Sequence, residues 1–436
     1  MINMALHSKK LHVRKAGVVT DINLYTTLSE AGNSALAIRD EGTTAYAKLG
    51  TATDALASPL RVRKNGETYA VLKSAAKPGI APLFAFTIDR YNDYLTMFLG
   101  AIYGDRTASP TTYTITSDKF NGTTGGIFVS SFLGTTNSNK LLLTGYSSKV
   151  IDPFASSWTT YSSIAASLSG CKIAVPCVMW LYVTGDTQIH VLNMNNSFAQ
   201  SRTYPLIGFP AITIPSGATA VCDALILDSV TTSQRYLYAI FNARENEYDY
   251  CLNSFLVKLL VNPFTGGLTY MAHIEVVKGA NTLKLFDNKL YVCCGGNLYD
   301  DTTCLQIIDT ADFTTATVPT TIHKIASMTN GYFRDVTIVD NNYVYVIIGK
   351  QDGYYNYASV YYTSIANITN PILWIKVMDT SFNTTANFWG VYNDSGRLWV
   401  VAGNRVHVFD SLPIGSTSPA KIISSGDIIR SFAQII

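Results

Sequence analysis

Apolar residues recur at every second position in short runs along this chain, and the runs are broken by Gly, Asn, Asp and Ser. That period belongs to β-strands joined by tight turns. Arg397–Asp410 shows it well: an apolar strand from Leu398 to Ala402, a Gly403-Asn404 turn, and a return strand. In the return strand, alternation predicts Arg405 and His407 facing outward, with Val406 and Val408 facing inward. Trp180–Asn193 repeats the design without a gap, Leu181 on Leu398 and Ile189-His190-Val191 on Val406-His407-Val408. One hairpin design used twice, far apart in the chain, marks a repeat.

The first apolar position of the second strand serves as a ruler. Copies fall at Leu95, Leu141, Leu181, Leu237, Leu290, Val344 and Leu398, spaced by 46, 40, 56, 53, 54 and 54 residues. Units of this length with three or four strands resemble the blades of a β-propeller, without the WD or kelch signatures. The expectation is an all-β, seven-bladed β-propeller over residues 78–436, with six blades possible because the first two copies are degenerate. Lys421–Ser424 and Asp427–Phe432 offer two last strands, one to complete the final blade and one to close the ring onto the first.

Residues 1–77 carry a shorter repeat: Leu11-His-Val13-Arg14, Leu36-Ala-Ile38-Arg39 and Leu60-Arg61-Val62-Arg63, each followed three residues after the Arg by Gly17, Gly42 or Gly66. Each copy predicts a hairpin whose Gly takes the left-handed turn position. This arm holds 11 Lys/Arg against 6 Asp/Glu, and the remainder holds 21 against 24. Arg14, Lys15, Arg39, Arg61, Arg63 and Lys64 are therefore the candidate docking residues of a basic arm. Three small hairpins bury little on their own, so the arm is expected to pack against other proteins.

Charged residues are only 14% of the chain, and Tyr, Thr, Ser and Asn fill the gap. That balance suits a β-rich component of an assembly. Net charge is +2, which points neither to nucleic acid nor to membrane insertion. Seven Cys, an odd number without metal-ligand spacing, read as buried thiols rather than a disulfide frame. The first residues lack the apolar core of a signal peptide, so the expectation is a soluble protein made in a cytoplasm and not exported by that route.

The search for chemistry returns little. His190 and His407 occupy equivalent repeat positions, which makes them structural echoes. A glycosidase needs two carboxylates on one cleft; Asp223, Asp228 and Asp335 are candidates, but Asp recurs at strand ends in several blades, as turn geometry demands. No metal, cofactor or catalytic set is expected. The segments between second and third strands stand out. Blades four to six carry Tyr248, Tyr250, Tyr299, Asp300, Asp352, Tyr354, Tyr355 and Tyr357, read as long loops forming an arc on one face. Tyr gives rigid amphipathic contact at low entropic cost, so this face is the candidate surface for a protein or glycan partner.

The short Leu-x-[Val/Ile]-Arg-x-x-Gly repeat, joined to a charge-poor, Thr/Ser/Asn/Tyr-rich body, resembles virion proteins of tailed bacteriophages. The resemblance implies a tail, fibre or decoration protein whose arm docks to the particle and whose body touches a host surface. It implies a place in the virion in multiple copies, release by lysis, and no enzyme activity. The alternative is a glycan-active propeller enzyme, a hydrolase or lyase.

Overall fold

The structure is a computed structural model. It describes side chains at residues 83–88, 128–135, 139–144, 148–153, 168, 172–185, 187–206, 208–209, 212–228, 234–245, 251–295, 304–311, 313, 332–349, 357–380, 390–394 and 396–435; in other strands it gives the backbone course alone. The chain divides into two units, Met1–Ala81 with Ala101–Thr112, and Pro82–Gly100 with Tyr113–Ile436.

In the first unit, Lys10–Lys15 pairs with Val18–Asn23 so that Arg14 lies opposite Val19 and Lys15 opposite Val18. Arg39 lies opposite Thr44, and Arg61, Arg63 and Lys64 lie opposite Ala70, Thr68 and Glu67. A further strand, Asn3–His7, pairs with Lys10–Lys15.

The second unit is a ring of four-stranded antiparallel sheets. Sheet I runs Phe128–Leu133, Asn139–Thr144, Lys149–Ile151 and Tyr161–Ser163; sheet II runs Ala174–Cys177, Trp180–Thr184, Gln188–Asn193 and Ala199–Pro205. Sheet III comprises Ala218–Asp228, Arg235–Glu245, Cys251–Val261 and Leu268–Val276; sheet IV comprises Ala280–Phe286, Lys289–Cys294, Cys304–Asp309 and Ile322–His323. Sheet V is Tyr332–Val339, Tyr343–Asp352, Tyr355–Ser364 and Ile375–Phe382, and sheet VI is Trp389–Asp394, Arg397–Ala402, Arg405–Phe409 and Lys421–Ser424. These six blades are each drawn from consecutive strands, and the all-β propeller expected from the spacing is borne out. A composite sheet adds Ile428–Gln434 to Ile80–Arg90, Asp93–Ile102 and Thr112–Ser117, in that spatial order. The two last strands thus do what their positions suggested. Lys421–Ser424 finishes sheet VI and Ile428–Gln434 closes the ring.

First strands of neighbouring sheets touch one another, which makes them the inner strands around the axis; Ile428–Gln434 plays that part in the composite sheet by meeting sheet I. Apolar side chains fill every gap between sheets. Phe84, Phe86, Trp399, Val406, Val408 and Phe432 form the core between sheet VI and the composite sheet. There Phe84 meets Trp399 and Phe432 at ring-centroid distances of 4.8 Å each. Each fully buried ring of this kind contributes roughly 2–3 kcal/mol.

Stacking overturns one sequence expectation. His407 and His190, expected to face outward, are 3% and 6% exposed. Alternation assumes one wet face, but the middle strands of a blade lie between two neighbours and have none. Trp180–Thr184 is buried at every position for the same reason. Arg405, at the strand's start, is exposed as expected.

The tight first turns come from Asp and Asn. Asp287-Asn288 takes positive φ of 47° and 57°, the left-handed pair that matches strand twist in a two-residue hairpin, and Asp340-Asn341 takes 51° and 54° in the longer turn that ends at Tyr343.

Candidate functional site

The second-to-third connections leave one end of the strands at 246–250 in sheet III, 295–303 in sheet IV and 353–354 in sheet V. In sheet V this corrects the long loop expected from the sequence. The hairpin continues as strand, with Asp352 opposite Tyr355 and Lys350 opposite Tyr357, leaving only Gly353 and Tyr354 between. Tyr is a good strand former, and the paired ladder carries its poorer neighbours Asp352 and Asn356 along to the tip. Tyr357 is half-buried. Tyr248, Tyr250, Tyr299, Asp300 and Tyr354 lie outside the described residues, as do the side chains of Asp352 and Tyr355.

Beneath that end, the inner strands carry β-bulges. The register slips between Cys222 and Ala224, between Ala280 and Thr282, and between Phe333 and Asp335. The bulged residues are Asp223, Asn281 and Arg334, three polar side chains at matching places in three consecutive sheets. A fourth slip, between Ile429 and Ser431, singles out Arg430 in the closing strand. A bulge re-aims one side chain at the cost of a ladder bond, and bulges gather beside sites.

Asp223 is the best satisfied of these. Its Oδ1 accepts from Lys172 Nζ at 2.7 Å; its Oδ2 accepts from Arg244 Nη2 at 2.8 Å and Asn242 Nδ2 at 2.6 Å. Burial alone would raise this carboxyl, but the Lys172 and Arg244 cations and the hydrogen bonds outweigh it and hold the pKa below the usual value. Asp335 accepts from the backbone amides of Val336 and Val391 at 2.9 and 3.0 Å, with Lys284 3.9 Å away. Burial dominates there and pushes its pKa up.

Many of these groups tie one sheet to the next. Ser431 Oγ accepts from Val129 N, Ser130 Oγ from Ala174 N, and Asp223 from Lys172. Asn242 Nδ2 donates to Ala280 O, Asn281 Nδ2 to Phe333 O, and Thr282 Oγ1 to Arg334 O. The Val391 N–Asp335 bond and the Tyr392 Oη bond to Phe432 O complete the circuit. The belt of polar ties explains why Asp223 and Asp335 are buried at all. It also corrects the reading of both as strand-end turn residues: each sits within an inner strand at or beside a bulge. Asp228 does end its strand.

Arg334 stacks over the Tyr332 ring at 5.2 Å. Its pKa falls to about 10 through burial, with neighbouring Arg244 adding to the fall. Lys172 and Arg244 thus face Asp223, and Lys284 faces Asp335. The described cysteines are free and buried, and burial pushes the Cys293 and Cys294 thiols up, away from nucleophilic thiolate. Among the described residues no group of three or more His, Cys, Asp or Glu is placed to hold a metal ion. The belt was not legible in the sequence, because a bulge is a one-residue slip set by packing. The recurrence of Asp, Asn and Arg early in successive first strands was the available signal.

No protein-family model matches the chain, and no curated protein does. Solved structures do. A candidate 6-phosphogluconolactonase from Bacteroides fragilis is similar at 11% identity and a TM-score of 0.53, over 81% of this chain and 98% of that one. The Dos1 propeller is similar at 12% identity and a TM-score of 0.44, over 70% of this chain and 73% of that one. Likeness at this identity concerns fold alone, and the fold is the β-propeller.

Proposed function

We propose that this chain is a non-catalytic display protein, a structural virion protein of a tailed phage. Its N-terminal hairpins dock to the particle, and its propeller presents the Tyr- and Asp-bearing end to a host surface or to another virion protein. The observation that supports contact over turnover is the state of Asp223 and Asp335. A glycan-active enzyme needs a carboxylate pair available to substrate, and both are engaged, Asp223 by Lys172 and Arg244 and Asp335 by the Val336 and Val391 amides. The docking role rests on the Leu-x-[Val/Ile]-Arg-x-x-Gly repeat and its basic residues. We count the composite sheet as a seventh blade, since it fills the gap between sheets VI and I.

Deleting residues 1–77 tests the reading. The remaining chain should stay folded by circular dichroism and be missing from purified particles. Incorporation at the full-length level would overturn the docking role.

A further inference from the structure

The end of the strands away from the Tyr- and Asp-bearing connections gathers the first-to-second and third-to-fourth turns of each sheet. On sheets I, II and III that end is uncharged. The connections at 134–138, 178–179, 194–198 and 262–267 are built from Gly, Thr, Asn, Ser, Pro, Val, Met and Phe, without one charged residue. Lys140 and Asp152, which flank turns of sheet I, are paired with each other at 3.0 Å. Arg235, behind the sheet II turn, donates to Cys177 Sγ at 3.2 Å. Sheets IV and VI instead bring Asp287, Lys289, Asp394, Arg397 and Asp410 to their turns at this end. Loss of charge from one part of a surface marks the centre of a protein interface.

Two features of this surface answer each other. The first is a knob. Phe264 is 82% exposed at the tip of a fully bonded turn. Asn262 Oδ1 accepts from the amides of Phe264 and Thr265 at 3.0 and 3.1 Å. Asn262 O accepts from Gly266 N at 2.9 Å, and Asn262 N donates to Gly267 O at 2.8 Å. A ring carried on so fixed a turn loses little order when it binds. The second is a hole. Sheets I and II part to leave a cleft of about 370 Å³, lined chiefly by Leu133, Pro176, Val178 and Met179 and by no charged side chain. Gly266 seats the Phe264 turn against Trp180, the residue after Met179, so knob and hole lie side by side. Val178, at the lip, is 51% exposed with φ 57°. A β-branched residue rarely takes that conformation, and Gly would make the turn without strain. Such a departure from local preference is expected where contact overrules it.

A two-fold contact between identical chains needs both a knob and a hole on one surface, because each copy gives what it receives. A surface without charge also meets its own copy without repulsion. We propose that two copies of this chain associate through this end of sheets I to III, Phe264 of each entering the cleft between sheets I and II of the other. The contact uses the other end of the strands from the display surface and does not depend on the particle role.

The test is sedimentation velocity of the full-length protein across a dilution series. The parent should pass from monomer to dimer. Phe264→Ser keeps the backbone and Asn262 bonds of its turn, and should weaken association about thirtyfold or more, because an aromatic anchor is lost from each half of the contact. Val178→Gly should weaken association too. Melted at a dilution where both are monomers, it should be at least as stable as the parent, since Gly takes the left-handed turn freely. A short bis-maleimide should join copies in a mixture of the Phe264→Cys and Val178→Cys proteins. The proposal is overturned if the parent stays monomeric throughout, if both variants associate as tightly as the parent, or if the mixture gives no cross-link. It is overturned as well if Phe264→Ser lowers incorporation into particles while sedimentation is unchanged, which would give this face to a different protein.

Discussion

His407 is a base enclosed in a strand with no wet face. Neither ring nitrogen has a hydrogen-bond partner, and burial, helped by nearby Arg405, takes its pKa from 6.5 to about 4. The unfolded chain therefore binds a proton near pH 6.5 that the folded chain refuses until about pH 4. Stability is whole above about 6.5 and falls as pH drops through that window, by up to about 3 kcal/mol. His273, lowered by burial, adds to the same loss, whereas Asp335, raised by burial, works the other way. Asp223, held below 3.8, loses its contribution only beneath the window. His407→Leu should flatten the acid limb of urea midpoints measured between about pH 7 and 4.5; an unaltered limb would acquit the ring. The sequence showed His407 and His190 as equivalent. It could not show them buried, since alternation records the two faces of a strand and not what stacks on each.

At the level of elements, the turn after the third strand of sheet III closes over sheet II. Gly266 has φ +70°, and a Cβ there would stand 2.5 Å from Trp180 Cδ2. Gly396 has a similar φ of +82° in the first turn of sheet VI, but open space around it. The pair separates strain from collision. Gly396→Ala should cost about 1 kcal/mol in thermal melts, the left-handed penalty alone. Gly266→Ala should cost about 2 kcal/mol or more, because the indole must also move. Equal losses would mean that Trp180 yields freely. Most elements were legible because Asp-Asn and Gly-Asn turns punctuate apolar runs, as at Asp287-Asn288 and Gly403-Asn404. The sheet V hairpin was not, since Gly353 among Tyr and Asn reads as a loop until its ladder is seen. The bulges at Asp223, Asn281 and Arg334 were invisible for a related reason. Each slip is chosen by the neighbouring sheet, and the recurring polar residue in the first strands is the only trace of it in the sequence.

For the molecule as a whole, the spacing of Leu and Val positions was enough to reach the ring. Its closure came from a strand more than 300 residues from its partner sheet, Phe432 lying opposite Phe86 and Ser431 bonding Val129. Removing residues 428–436 should bare Phe84, Phe86 and Trp399, all unexposed in the intact ring. Thermal melting should then fall and binding of an apolar dye should rise; an unchanged melt would show that the sheets hold without the last strand. Synthesis gives this arrangement a meaning of its own. A chain emerges from the ribosome beginning at its N-terminus, so the strand Ile80–Arg90 waits for its inner neighbour until every blade between has been made. A product of interrupted translation is left with a raw sheet edge and two apolar faces. Only a chain that has reached Gln434 can cover that edge.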